Sequence, residues 1–241
     1  MKKFITEGAK NFLKPIRNRG IGGTFFGKLF SKILVVIFNP INIDGSKLYL
    51  HQSDGIDFFI RDYQRSSMEI LKKEVKEGDV VVDLGASSGS HTIIAAKIVG
   101  SRGKVFCFEA DPVNCKLIEK SIKRNGYKNI VLEQKAVIDK KGKLIFYLEQ
   151  GSKYHKIFKT KNMSSTIEVE AISLDDYFKN YGGKIDFIKI DIVGSEGKAI
   201  KGMVSTLQKN PAAKIYMEFS PDRIEKTNFE PIDCLKILTP P

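Results

Sequence analysis

Three acids and two glycines hold most of the chemistry this sequence can offer. Asp83 closes a short apolar run, Val80-Val81-Val82, and Gly85 and Gly89 follow it four residues apart. An apolar, β-branched run reads as a buried parallel strand, and from Ser90 onward the pattern is helical. Strand, glycine turn and helix together bring bare backbone N–H groups and a helix N-terminus against a polar ligand. The spacing Gly-x-x-x-Gly lacks the middle glycine of the dinucleotide fingerprint, so a nucleoside-containing ligand is expected rather than a nicotinamide dinucleotide. The competing reading is a tight strand-to-helix turn that binds nothing. Glu109 lies a little over twenty residues past the glycine turn, at the end of a second apolar run. A carboxylate there can accept both O–H bonds of a ribose. An exposed loop carboxylate, or a helix-start charge partnered with Asp111, is the alternative. Asp191 follows a further buried-strand stretch, Lys184–Ile190. Asp83 itself either helps to hold the ligand or orients the backbone of the turn.

These positions are useful only if one sheet gathers them. Residues 80–84, 104–109, 129–134, 184–190 and 213–219 read as core strands, joined by helices that make the connections parallel and right-handed. Ligands of such sheets bind beyond the carboxyl ends of the strands, where all three acids fall. The helix over 90–99 groups Ile94, Ala95, Ile98 and Val99. Asp111-Pro112 opens the next, with Val113, Leu117, Ile118 and Ile122 expected on its buried face and Gly126 at its end. Residues 143–148 and 166–171 read as paired strands around a polar loop. Ser173 caps a short helix. Ser195 is expected to cap a single helix over Ile200, Met203, Val204 and Leu207, and a last helix spans 232–238. Before the core, 47–62 reads as a β-hairpin turning at Ser53-Asp54-Gly55, then a helix capped by Ser66 or Ser67 and ending at Gly78. Three regions follow: an N-terminal extension (1–40), a lead-in (41–78) and a main domain (79–241).

The chain of 241 residues has a formal net charge of +12, which favours polyanionic neighbours, nucleic acid or anionic headgroups, or else reflects a lysine-rich solvated surface. Residues 1–40 combine Lys2, Lys3, Lys10, Lys14, Arg17 and Arg19 with an apolar run over 25–38 that is too short and too charged to span a bilayer. That run suits a helix lying at a membrane surface, one packed on the domain, or one packed on a second subunit. Cys107, Cys115 and Cys234 show neither metal spacing nor a disulfide framework, which points to a reducing, cytoplasmic compartment. No metal site is expected.

Four motifs in this order resemble FkbM-type S-adenosylmethionine-dependent methyltransferases. They are Asp83-Leu84-Gly85-Ala86-Ser87-Ser88-Gly89, Val105-Phe106-Cys107-Phe108-Glu109-Ala110-Asp111-Pro112, Ser173-Leu174-Asp175-Asp176, and Ile188-Lys189-Ile190-Asp191-Ile192-Val193-Gly194-Ser195-Glu196. The resemblance implies a Rossmann-like class I methyltransferase fold, an α/β architecture whose mostly parallel sheet is flanked by helices. It also implies S-adenosylmethionine as cofactor, and commonly O-methylation of a sugar or related hydroxyl. By the same resemblance Gly85, Ala86, Ser87 and Gly89 would cradle the methionine part of the cofactor, beside Asp83. Glu109 would hold the ribose, with Ala110 and Asp111 beside the adenine and residues 134–136, Gln134 and Ala136 included, completing that pocket. For the proton of an acceptor hydroxyl, Asp191 is the first candidate base, His91 the second, and His155 a third. His91 could instead pack against the cofactor. Asp175-Asp176 reads as a helix cap.

Three departures from the family pattern stand out. Ser87-Ser88 replaces Asn-Ile, and Val193 replaces the glutamate of Asp-Val-Glu-Gly. The last two strands of the usual sheet are missing, so either the sequence is a piece or the fifth strand is an edge. The leading expectation is a methyltransferase acting on a glycan, a lipid-linked saccharide or a small hydroxylated metabolite. An RNA methyltransferase and a non-catalytic S-adenosylmethionine-binding module are the rivals.

Overall fold

The computed structural model describes residues 25–52, 65–149, 155–156 and 163–239. Its centre is a five-stranded, fully parallel sheet of β3 (Val80–Leu84), β4 (Lys104–Phe108), β5 (Ile130–Glu133), β10 (Phe187–Ile190) and β11 (Lys214–Met217), in the order β11-β10-β3-β4-β5. The order reverses at β3, whose neighbours β4 and β10 are reached by connections leading in opposite directions. The crevice above β3 is therefore the switch point where such sheets bind ligands. The expected Rossmann-like class is what the chain adopts.

Helices α3 (Ser90–Val99) and α4 (Pro112–Asn125) connect the first three of these strands. Asp111 caps α4 through its carboxylate, which accepts from the Val113 N–H at 2.8 Å. Gly126 ends it at φ 70°, a left-handed conformation that costs glycine little. The buried face of α4 is more polar than expected. Asn114, Cys115, Ile118 and Ser121 are inside, whereas Val113 is exposed because it sits on the solvent side of the first turn.

A second sheet has the order β6-β9-β7-β8, from β6 (Ala136–Val137), β7 (Gly142–Glu149), β8 (His155–Lys156) and β9 (Met163–Ile172). The β7–β9 pair is the expected antiparallel one; the short strands β6 and β8 were not foreseen. Ser173 caps α5 (Leu174–Tyr177) by accepting from the Asp176 N–H at 3.1 Å.

Other elements differ from expectation. The described hairpin is β1 (Ile41–Ile43) with β2 (Ser46–Leu48), turning at Asp44-Gly45 with φ values of 47° and 86°. Both positive values belong to the Asp-Gly turn that matches strand twist. The turn expected at Ser53-Asp54-Gly55 lies outside the described residues. Ser66 and Ser67 sit within α2 (Arg65–Glu74), not at its cap, and Ser67 hydrogen-bonds elsewhere. The single helix expected after Ser195 is two, α6 (Glu196–Lys201) and α7 (Val204–Lys209). The break falls where Gly202 lies against the backbone of Ile138, a Cβ there coming within 2.2 Å of the Ile138 carbonyl oxygen. Asp175 then restarts the helix, accepting from the Thr206 N–H at 2.7 Å and the Ser205 N–H at 3.1 Å. Ser195 makes no side-chain cap bond to α6. Helices α8 (Pro221–Glu225) and α9 (Pro231–Leu238) complete the chain. At the other end α1 (Phe25–Phe38) packs Val35 and Phe38 against β1, β2 and Ile93. Among the described residues no helix is long and apolar enough to cross a membrane.

Candidate functional site

The turn after β3 is held by the strands beside it. The N–H groups of Gly85 and Ala86 both donate to the Phe108 carbonyl, at 3.0 and 3.2 Å. Gly85, Ser87 and Gly89 have φ values of 76°, 53° and 83°. Two of these need glycine for a further reason. A Cβ on Gly85 would fall 2.0 Å from the Asp191 carbonyl oxygen, and one on Gly89 would fall 2.8 Å from Ile118 Cγ1. The missing side chains let β10 and α4 close on the turn. Ser87 takes the left-handed conformation without that freedom, a local strain of the kind stored at ligand sites. The leading N–H groups of α3, which have no carbonyl partner within the helix, open onto the same place.

Glu109 follows β4 and is only 8% exposed. Its two carboxylate oxygens accept separately, one from the Ser87 N–H at 2.7 Å and one from the Asp111 N–H at 2.8 Å. Burial pushes its carboxyl up to about 7, against the pull of those two N–H bonds. The carboxylate also takes a side-chain hydrogen bond from Asn114, and a lone pair remains through which the group that ties the turn to β4 can accept a ribose hydroxyl. Ala110 and Ala136 pack in one cluster with Val169 and Ala171, giving the space past β4 and β5 an apolar wall. Asp111 is buried as the cap of α4, and Gln134 is exposed. The cradle therefore fits a nucleoside: a carboxylate for the sugar, apolar surface for the base, and a backbone turn too tight for side chains.

Beneath the turn lies an ionic network that the sequence reading largely missed. Asp83, 1% exposed, accepts from Thr92 Oγ1 at 2.6 Å and from Lys189 Nζ at 3.0 Å. Burial pushes its carboxyl up, but the Lys189 ammonium and these bonds outweigh burial and hold it below the ordinary range. Lys189, itself 2% exposed, is desolvated yet kept charged by Asp83 and Asp191, and its Nζ also donates to the Gly85 carbonyl at 3.3 Å. The available signal was a lysine inside an otherwise apolar strand, in register with Asp83. A buried lysine needs a carboxylate opposite it. His91 is buried with Nε2 2.9 Å from Ser67 Oγ; burial, then Lys189, lowers it to about 4, so it is neutral at physiological pH.

Asp191 is half-buried at the end of β10, its Oδ2 3.8 Å from Lys189 Nζ. The loop after it places Val193 at φ 41°, an unusual conformation for a β-branched residue, and Gly194 at φ 89°. Glu196 turns back into this loop. It is 2% exposed, bonded to the N–H groups of Gly194 and Ile192, and pushed up to about 7 by burial. Its Oε2 is buried with no hydrogen-bond partner among the described residues. Glu218, at the end of β11, is hydrogen-bonded to Asp191 and pushed up by partial burial and by that carboxylate's charge. Its position after an apolar run could have marked it, by the logic that marked Asp191.

The structure thus gathers Asp83, the glycine turn, Glu109, Asp111 and Asp191 at one end of the sheet, with His91 immediately beneath. His155 is elsewhere, in β8, at the far edge of the second sheet from β6. Asp175 and Asp176 cap or brace helices.

A model of the methyltransferase FkbM domain matches residues 83–239, more than half of the chain. A protein-L-isoaspartate O-methyltransferase of Methanococcus aeolicus is 39% identical over 57 residues, which cover 24% of this chain and 26% of that protein. The chain thus spans about a quarter of the length of the isoaspartate methyltransferases it matches. A probable cobalt-precorrin-6B C(15)-methyltransferase (decarboxylating) of Saccharolobus solfataricus is 26% identical over 161 residues, 60% of this chain and 81% of that one. A solved S-adenosylmethionine-dependent O-methyltransferase of Thermotoga maritima aligns at TM-score 0.42 and 17% identity, covering 81% of this chain and 60% of that one. With the turn, the buried Glu109 and the 83–239 match in hand, the chain belongs to the FkbM family of S-adenosylmethionine-dependent methyltransferases.

Proposed function

We propose that this methyltransferase acts on oxygen, moving a methyl group to a hydroxyl of a glycan, a lipid-linked saccharide or a small metabolite. The observation that carries the reading is the contact of Gly85 with the Asp191 carbonyl, which joins the cofactor cradle to an accessible carboxylate. S-adenosylmethionine, when bound, supplies a methyl carbon on a sulfonium, open to in-line attack. Glu109 would hold its ribose, and residues 85–89 its amino-acid portion.

Asp191 is the base in this reading. Its side chain is 20% exposed, enough to meet a hydroxyl proton, while Lys189 fixes it from below. His91 is the weaker candidate, since its ring is spent on Ser67 and on packing under the turn. Alignment of the acceptor oxygen and exclusion of water supply the rest of the rate. Its three buried free thiols suit a reducing compartment.

The test pairs calorimetry with turnover on a panel of hydroxylated acceptors and RNA. Asp191→Asn should bind S-adenosylmethionine within about threefold of the parent, yet lose roughly a hundredfold or more in kcat. Undiminished turnover would remove Asp191 as the base. Methylation confined to RNA would move the acceptor class, as would methylation confined to nitrogen.

A further inference from the structure

Helix α1 is covered on one side only. Val35, 3% exposed, and Phe38 pack on the cluster of Ile41, Leu48, Leu50 and Ile93. Around the helix from them, Leu29 is 46% exposed, Ile33 45%, Val36 72% and Ile37 65%. At helical spacing these four form one continuous aliphatic ridge, with the exposed Lys32 along its margin. Single exposed apolar residues need no explanation, but an aligned ridge of four does.

The charge around the ridge says what covers it. Between Glu7 and Asp44 the sequence contains no acid, and six basic residues: Lys10, Lys14, Arg17, Arg19, Lys28 and Lys32. The same apolar cluster that seats α1 is packed by Ile122 of α4, and Lys120, Lys123 and Arg124 beside it are exposed. An aliphatic ridge bordered by the exposed Lys32, with Lys120, Lys123 and Arg124 outnumbering the exposed Glu119 on the neighbouring helix, matches acyl chains below anionic headgroups. A second copy of the chain would bring the same positive charge to the contact. Nucleic acid would use the lysines but has no use for the aliphatic ridge.

We propose that Leu29, Ile33, Val36 and Ile37 dock the protein on the surface of an anionic lipid bilayer, α1 lying in the interface plane. This inference does not depend on the acceptor or on turnover.

Vesicle co-sedimentation of the full chain tests it. Phosphatidylcholine vesicles containing phosphatidylglycerol should bind roughly tenfold more protein than phosphatidylcholine alone, and added salt should reduce the difference. The double variant Val36→Glu with Ile37→Glu should lose most of that binding, while its unfolding temperature and S-adenosylmethionine affinity stay those of the parent. Equal binding to both vesicles, or to neither, would overturn the proposal. So would undiminished binding of the double variant, since the lysines alone would then suffice. A stable dimer that the double variant converts to monomer would assign the ridge to a second copy instead.

Discussion

The two ends of the central sheet are built from the same strands by opposite rules. At the carboxyl end Asp83, Glu109, Asp191, Glu196 and Glu218 crowd into a turn region, with Lys189 their fully buried cation, and Ser87 and Val193 in left-handed backbone. At the amino end polar side chains bond the leading N–H groups of β3 and of the approach to β10. Asp186 accepts from the Val80 N–H at 2.9 Å, and Asn210 accepts from the Ile185 N–H at 2.7 Å. That end also has a hollow of about 300 Å³, lined by Phe178, Tyr181, Lys184 and Thr206 among others, but Asp175 and Asn210 on its wall are already engaged as caps. The buried Lys189–Asp83 pair and the left-handed Ser87 and Val193 lie at the end proposed to hold the cofactor.

Substitution should break this contrast most completely at Gly85. A methyl there meets the Asp191 carbonyl at 2.0 Å, and the backbone is at φ 76°. Neither the strand end nor the turn can yield cheaply, so Gly85→Ala should cost on the order of 5 kcal/mol of stability, by denaturant unfolding, and abolish S-adenosylmethionine binding. A folded, binding-competent variant would show that β10 is not locked to the turn. Lys189→Met should come next, at about 3–5 kcal/mol, because it leaves Asp83 charged and buried with only Thr92. The companion variant Lys189→Met with Asp83→Leu should recover much of the loss, which a purely steric role for Lys189 would not allow.

The difference between the ends also explains what could be read in advance. The parallel core was legible because its signals are local: Val80-Val81-Val82 before the glycine turn, and Asp111-Pro112 before α4. The pairing of Ser67 with His91 was not, because a serine at the front of a helix reads as its cap unless a histidine is known to face it. Gly202 gave no warning of a broken helix, since the reason is the Ile138 backbone, distant in sequence. The hairpin at Asp44-Gly45 was not foreseen, for another cause. The strongest short turn signal was present, but the longer alternation after Leu48 drew the reading away from it. At the site, acids ending apolar runs were visible; the cation beneath them was hidden by its own strand.

Glu109 gives the third prediction, smaller because it loosens one contact without distorting the fold. Glutamine offers one oxygen where the Ser87 and Asp111 N–H groups need two, so an NH₂ would face one of these donors. Glu109→Gln should weaken S-adenosylmethionine about 10- to 100-fold, or about 1.4–2.7 kcal/mol. The parent should also show a pH dependence that the variant lacks. Its Glu109 carboxyl, pushed up to about 7 in the empty site, is mostly protonated at pH 6 and mostly ionised at pH 8. The ionised form accepts ribose hydroxyls better, so affinity should rise with pH through about 7 and level off above it. A flat profile in the parent would mean that the sugar does not sit on this carboxylate.

The smallest effect, and the sharpest control, belongs to the amino end. Asn210 Oδ1 accepts from the Ile185 N–H while its Nδ2 donates to the Thr206 carbonyl at 2.8 Å, so one side chain finishes both α7 and the approach to β10. Ile185 is 3% exposed, so after Asn210→Ala its N–H would depend on water entering from the adjoining hollow. The expected loss is about 1–2 kcal/mol, or a few degrees in Tm. S-adenosylmethionine affinity should stay within about twofold of the parent, because β10 would still deliver Lys189 and Asp191 in register with β3. A large loss of affinity here would mean that strain at the carboxyl end depends on how the strands are fixed at their beginnings, and that the two ends form one device rather than two.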